Sequence, residues 1–219
     1  MIKHILFDVD QTLYPASSLV ETEMVRRINN FIAEYLEISL EEALSLRTNR
    51  DKKYNSTLEW LRGTKGLDNA EPFFSAIHPV DFENYFPKNP ALASLLSRIT
   101  VPCSIFTNSW QKHAENILKY LEISRYFSNI FDIYFNNYFG KPHISAFTNI
   151  LDFLGLEASK VLYIDDRQKF TDIFYSLGGN VILVDELGEY NETKYEKVNY
   201  IEEIKPILEK YEVLGGCGF

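Results

Sequence analysis

The chain's 219 residues predict an α/β fold, a doubly wound parallel sheet whose first strand is followed by a long helical insert. Three observations carry this reading. Short β-prone apolar runs at residues 5–9, 101–106, 130–135, 161–164 and 181–184 alternate with stretches of helical period. Residues 17–86 carry helical patterns only. Three of the strands end in polar residues, Asp8/Asp10, Thr107/Asn108 and Asp165/Asp166, and ligands of parallel sheets sit outside the carboxyl ends of strands.

Ile5, Leu6, Phe7 and Val9 form a run too brief for a helix, and it runs into Asp8-Val9-Asp10-Gln11-Thr12. Ser18 with Glu21 reads as a capping box ahead of Val20, Met24, Ile28, Phe31, Ile32 and Tyr35, which recur every three or four residues. Two further boxes, Ser39 with Glu42 and Ser56 with Glu59, open further helices, with breaks near Gly63–Gly66 and at Pro79 and Pro87. Pro90 suits a first helical turn with Leu92, Leu95, Leu96 and Ile99 on one face; Val101–Phe106 follows as a strand. Ala114, Ile117, Leu118 and Leu121 mark a helix, and 130–135 a strand. Phe147, Ile150, Leu151 and Leu154 mark a helix closed by Gly155. Val161–Ile164 is a strand, the next helix stops at Gly178-Gly179, and Val181–Val184 is expected to be the last strand. The core then comprises residues 1–15 and 88–219, the insert residues 16–87, and the tail 214–219, with its three glycines, is expected to be loose.

With 46% hydrophobic residues the chain can bury on the order of 70% of its unfolded surface, so disorder is excluded. A net charge of −9 without a long Lys/Arg run argues against a nucleic acid polymer as partner. No apolar stretch is long enough for a membrane span or a signal segment, so no membrane partner and a cytoplasmic location are expected. Cys103 and Cys217 lie far apart without metal-spaced neighbours, which excludes a disulfide framework and a zinc site.

Asp, Asn and Thr at strand ends are ordinary turn residues taken singly. Together with Lys141 on a loop of the same topological kind they suggest a site. Asp8, Asp10, Asp165 and Asp166 at one sheet edge would repel one another unless a cation sits among them, and an all-oxygen set suits Mg²⁺. A lysine and a hydroxyl beside that ion match the oxygens of a phosphoryl group. The chain has no Gly-x-Ser-x-Gly elbow and no Walker loop, and its four histidines are scattered, which leaves an aspartate as nucleophile. Residues i and i+2 of a strand point to the same side, so Asp8 can attack phosphorus while Asp10 protonates the leaving oxygen and later activates water.

These residues resemble the haloacid dehalogenase superfamily. Its first motif, Asp-x-Asp-x-Thr, matches Asp8-Val9-Asp10-Gln11-Thr12, and the second matches Ile105-Phe106-Thr107-Asn108-Ser109. The third matches Gly140-Lys141-Pro142 and the fourth Tyr163-Ile164-Asp165-Asp166. The resemblance implies a Rossmann-like core with a small helical cap that closes over the site. Asp8 is then nucleophile and Asp10 acid/base, while Thr107, Asn108 and Lys141 form the phosphate-binding set. Asp8, the Asp10 carbonyl and Asp165 hold magnesium, with Asp166 acting through water. An acid at position 10 favours a phosphatase over a dehalogenase.

Leu13-Tyr14-Pro15, with Tyr54, Thr57, Leu58 and Leu61, is similar to the pyrimidine 5′-nucleotidase subgroup, which implies a nucleoside monophosphate as the small-molecule phosphate ester. A sugar phosphate or phosphoglycolate is the alternative. Readings of another class are a phosphoacceptor signalling domain, disfavoured by motif order and by the insert, and an idle binding protein, disfavoured by the intact Asp8, Asp10, Lys141 and Asp165. Leu58 and Leu61 are expected in the cap's own core, with Tyr54 and Trp60 packing there, and Arg47, Arg50, Lys52 and Lys53 as a solvated charged face. The chain departs from the family at Gln11, where glycine or asparagine is usual, and at His143, where an acid is common. It departs again at Phe170, where a polar residue is usual; there the metal's outer shell is expected to rest on Asp166 or Asp172.

Overall fold

Strands β1 (His4–Phe7), β2 (Cys103–Phe106), β3 (Phe127–Phe131), β4 (Val161–Asp165), β5 (Asn180–Val184) and β6 (Glu196–Val198) form one all-parallel sheet in the order β3-β2-β1-β4-β5-β6. This is a computed structural model, and it describes residues 1–215; Cys217 and the last part of the tail lie outside the described residues. Every side chain of β1, β2 and β4 is buried, as expected for strands covered on both faces, and this is why their sequences run apolar without alternation. The sheet belongs to one unit, Met1–Ser18 with the chain from Glu83 onward, and Leu19–Phe82 forms a second.

Two strands differ from the sequence expectation. The third lies at 127–131 rather than 130–135, because the Asp132 carboxylate accepts the Phe135 N–H and the Gln111 N–H, both at 3.0 Å, and turns the chain out of the sheet. Asn137 and Tyr138 complete that turn with φ of 50° and 69°. Val184 does not end the last strand: β6 follows, a three-residue edge with no apolar run to announce it, in which only Val198 is fully buried.

In the helical unit, α1 (Val20–Leu36) starts after Leu19, and Ser18 does not cap it; its hydroxyl is buried without a hydrogen-bond partner while its N–H closes a turn on the Pro15 carbonyl. The box predicted at Ser39 and Glu42 does form, opening α2 (Leu40–Thr48). Ser56 caps α3 (Thr57–Lys65), but the Glu59 carboxylate takes the Asn55 N–H instead. Gly63 stays inside α3, and the break falls at Gly66, whose φ of 72° suits glycine. α4 (Glu71–Ile77) packs on α1 through an edge-to-face contact of Phe31 with Phe73.

In the sheet unit, Asn89 caps α5 (Pro90–Leu96), and α6 (Gln111–Tyr120), α7 (Ile144–Leu154), α8 (Gln168–Ser176) and α9 (Lys205–Lys210) follow. Phe106, Phe147, Tyr163 and Phe174 interlock where the sheet meets α7 and α8, with centroids 5.1 Å (Phe106–Phe147), 5.7 Å (Phe147–Tyr163) and 5.4 Å (Tyr163–Phe174) apart. The tail is not loose at its start: Leu214 bridges to Ile99, and the Gly215 N–H reaches the Arg98 carbonyl at 2.8 Å. No helix of the described residues is long and apolar enough to cross a membrane.

His4 is buried beside Ser104, its Nε2 3.0 Å from that hydroxyl, and burial lowers its pKa to about 4. As pH falls below 6.5 the unfolded chain takes up a proton that the folded chain refuses, so stability present above pH 6.5 is lost on the way down to about 4. A shift of that size corresponds to roughly 3 kcal/mol. His4→Asn is expected to flatten this limb of the stability–pH curve, read from urea midpoints at pH 7, 5.5 and 4.

Candidate active site

The registers set three strand ends level. Phe7 pairs with Ile105 on one side and with Ile164 on the other, so Asp8, Thr107 and Asp165 emerge from adjacent strands at the same edge. The Asp8 N–H continues the ladder to the Ile164 carbonyl at 2.9 Å, and the Thr107 N–H reaches the Phe131 carbonyl at 3.0 Å. Each residue's backbone is thus held by the sheet while its side chain is free for other work.

Lys141 enters from the loop before α7. Its Nζ donates to Asp8 Oδ1 at 2.7 Å, Asp165 Oδ2 at 2.7 Å and the Phe106 carbonyl at 3.0 Å. The rings of Phe106, Tyr163 and Phe170 lie 5.0, 5.6 and 5.3 Å from the ammonium. Phe170, which departs from the family pattern, is thereby accounted for: it forms part of an aromatic floor under a buried cation. Asp172 is exposed and accepts the Tyr195 hydroxyl at 3.0 Å, away from this cluster.

Asp8, Asp165 and Asp166 each bring a carboxylate oxygen within 4.8 Å of the others. Asp165 Oδ1 accepts the Arg167 N–H at 2.8 Å, and its Oδ2 takes the Tyr163 hydroxyl as well as Lys141. Burial, opposed by Lys141 and reinforced by Asp165 and Asp10, pushes the Asp8 carboxyl up to about 7. Burial, with Asp165 and Asp8, drives Asp166 well above the carboxylate range. Lys141 and the exposed Arg167, whose Nε lies 3.8 Å from Asp166 Oδ2, leave the three crowded carboxylates one positive charge short. A hard divalent cation fits this deficit, and the donors are all oxygen.

Asp10 has its own set of partners. Its Oδ1 accepts the Tyr14 hydroxyl at 2.7 Å and lies 2.8 Å from His113 Nε2, and its Oδ2 accepts the Ser109 hydroxyl at 2.7 Å. Burial works to raise its pKa, but His113, Ser109 and Tyr14 outweigh that and hold the carboxyl well below the usual range. In the sequence His113 is one of four scattered histidines with no assigned role. The available signal was its place in the first turn of the helix that follows the second motif, four residues past Ser109.

Thr107 is buried, and its hydroxyl accepts the Ser109 N–H at 3.0 Å. The Asn108 side chain is committed to the Lys141 backbone: Oδ1 accepts the Lys141 N–H and Nδ2 donates to the Lys141 carbonyl, both at 2.7 Å. It clamps the lysine's loop, which leaves only the Asn108 backbone to face a ligand. Gly140 makes room for the clamp, since a Cβ there would lie 2.2 Å from Asn108 Oδ1. Gly140→Ala is expected to displace Lys141 and lower kcat by about 10²-fold, because ångström-scale misplacement of a catalytic group has effects of that order. Steady-state kinetics with a parallel melting curve will separate this from unfolding. Gln11 stands at φ 60°, which is why small or Asx residues are favoured at its position.

Residues 2–169 match the family model described as haloacid dehalogenase-like hydrolase. The chain belongs to that family. A protein of Methanocaldococcus jannaschii named glyceraldehyde 3-phosphate phosphatase is 27% identical over 180 residues, 76% of this chain and 77% of its own. Among solved structures, a HAD phosphatase from Thermococcus onnurineus superposes with a TM-score of 0.63 at 19% identity, covering 94% of this chain and 98% of that one. An L-2-haloacid dehalogenase from Xanthobacter autotrophicus with chloropropionic acid covalently bound gives 0.61 at 14%, covering 95% and 99%. Both likenesses establish the shared α/β fold of this haloacid dehalogenase-like hydrolase.

Proposed function

We propose that this hydrolase is a magnesium-dependent phosphomonoesterase working through a phosphoaspartate on Asp8. The observation that carries the reading is the separation of two aspartates two residues apart into different environments. Asp8 lies against Lys141 in the carboxylate cluster, and Asp10 is gripped by Tyr14, Ser109 and His113. Two carboxyls with divergent surroundings are what distinct nucleophile and acid/base roles require. The grip favours anionic Asp10, the form that activates water in the second half-reaction. A phosphoryl dianion arriving beside it favours the protonated form needed to release the alcohol.

Asp8, Asp165 and Asp166 would hold magnesium, which when bound neutralises the phosphoryl oxygens. Lys141 would add a positive charge for the phosphoryl oxygens, and Thr107 with the Asn108 backbone would complete the phosphate-binding set. Loss of activity on chelation and its return with Mg²⁺ are expected. The helical unit, as the family's cap, would select the leaving group.

A small sugar phosphate is the substrate class favoured by the named relative. Several of the residues behind the pyrimidine nucleotidase reading are internally employed. Tyr14 stacks on Phe86 at 4.5 Å while bonding Asp10, and Leu13, Leu58 and Leu61 are buried. Tyr54 and Thr57, both half-exposed, keep it as a second reading. Phosphate release from triose phosphates, other sugar phosphates, phosphoglycolate and nucleoside monophosphates, with and without magnesium, decides between them. Preference for uridine and cytidine monophosphates would reverse the order, and no hydrolysis of any ester would end the phosphatase account.

A further inference from the structure

We propose that Arg47 and Arg50 form a binding site for a phosphate-type oxyanion on the helical unit, independent of the reaction above. Arg47 lies in the last turn of α2, and Arg50 sits just past that helix's Asn49 cap. The Arg50 Nη1 donates to the Arg47 carbonyl at 2.9 Å, which brings the two residues together. Both side chains are partly buried, and the Nε of each is shielded from solvent without a hydrogen-bond acceptor. Among the described residues no carboxylate lies within ion-pair distance of either.

The contrast within the same unit is direct. Arg26 and Arg27 share the Glu23 carboxylate at 2.7 and 2.6 Å. Asp51, the acid next in sequence to Arg50, is turned to Lys53, with its carboxylate 3.3 Å from that ammonium. The two arginines therefore keep a shielded donor each and no counter-charge, an arrangement that is unfavourable until an anion arrives. Burial and the neighbouring Arg50 accordingly lower the Arg47 pKa. The expected face of solvated charge is, at these two positions, a shielded pair.

The ligand class follows from count and shape. A guanidinium presents a planar fork of N–H donors that matches two oxygens of a phosphate or carboxylate. Two forks and two positive charges match a phosphate dianion better than a single carboxylate. Inorganic phosphate and the phosphoryl end of a metabolite share this chemistry.

The test follows the arginine Nε–Hε resonances of the wild-type protein by NMR, assigned with Arg47→Lys and Arg50→Lys. Titrations use inorganic phosphate, glycerol 3-phosphate, acetate, and chloride at matched ionic strength. Saturable downfield shifts of both the Arg47 and Arg50 signals with phosphate, the ester or both support the site, and their relative midpoints identify the source. Arg47→Gln should weaken the phosphate response at Arg50 at least about tenfold, the value of one charge-assisted hydrogen bond. Shifts that merely track ionic strength, saturation by acetate in preference to phosphate, or no response at these two signals would overturn the proposal.

Discussion

Asp8→Asn is expected to lower phosphate release by roughly 10⁴-fold or more, the scale seen when one member of a nucleophilic unit is removed. The amide keeps the shape of the carboxylate and an oxygen for Lys141, now 2.7 Å from Asp8 Oδ1, but it cannot form an acyl phosphate. Stability should not fall with activity. Asp8 sits among like charges that already push its carboxyl up to about 7, so removing its charge relieves repulsion as well as breaking an ion pair. Initial rates paired with thermal melting will check both halves. A variant that melts like wild type and still turns over at its rate would remove Asp8 from the chemistry.

Asp10→Asn is expected to lower kcat by about 10²–10⁴-fold, the usual contribution of a positioned acid/base. The deficit should depend on the leaving group. An alkyl phosphate, whose alcohol needs a proton to depart, should suffer far more in the first half-reaction than an aryl phosphate such as p-nitrophenyl phosphate. His113→Gln and Ser109→Ala, which loosen the grip on Asp10 without touching its carboxylate chemistry, should produce the same leaving-group dependence in weaker form. Comparing kcat/KM for the two substrate types across the three variants is the measurement. Equal loss on both substrates would assign Asp10 a structural part instead.

The central strands and their strand-end acids were legible because β1, β2 and β4 are buried on both faces and so appear as unbroken apolar runs stopped by polar residues. β6 carries no such mark: an edge strand of Glu196, Lys197 and Val198 needs one inward side chain, and only its pairing with β5 defines it. The displacement of β3 was equally unreadable, because the apolar run at 133–135 looks like a strand until Asp132 takes the Phe135 N–H. At the site, the motif spacings point to Asp8, Lys141 and Asp165, which meet in space. They do not reveal what grips Asp10. His113 and Tyr14 reach it from a helix and a loop, and no periodicity links residues whose proximity depends on tertiary packing. Asn108 illustrates a different limit: its place beside Thr107 suggests ligand contact, while its side chain spends both of its hydrogen-bonding ends on the Lys141 backbone.

The claim on which the account depends is that Asp8 becomes covalently bonded to phosphorus. Acid-quenching the enzyme during turnover and reducing it with borohydride converts an aspartyl phosphate to homoserine, which peptide mass spectrometry locates. Homoserine at position 8, appearing only with substrate and magnesium present, is the predicted result. Its appearance at another aspartate, or its absence while phosphate is being released, would contradict the mechanism.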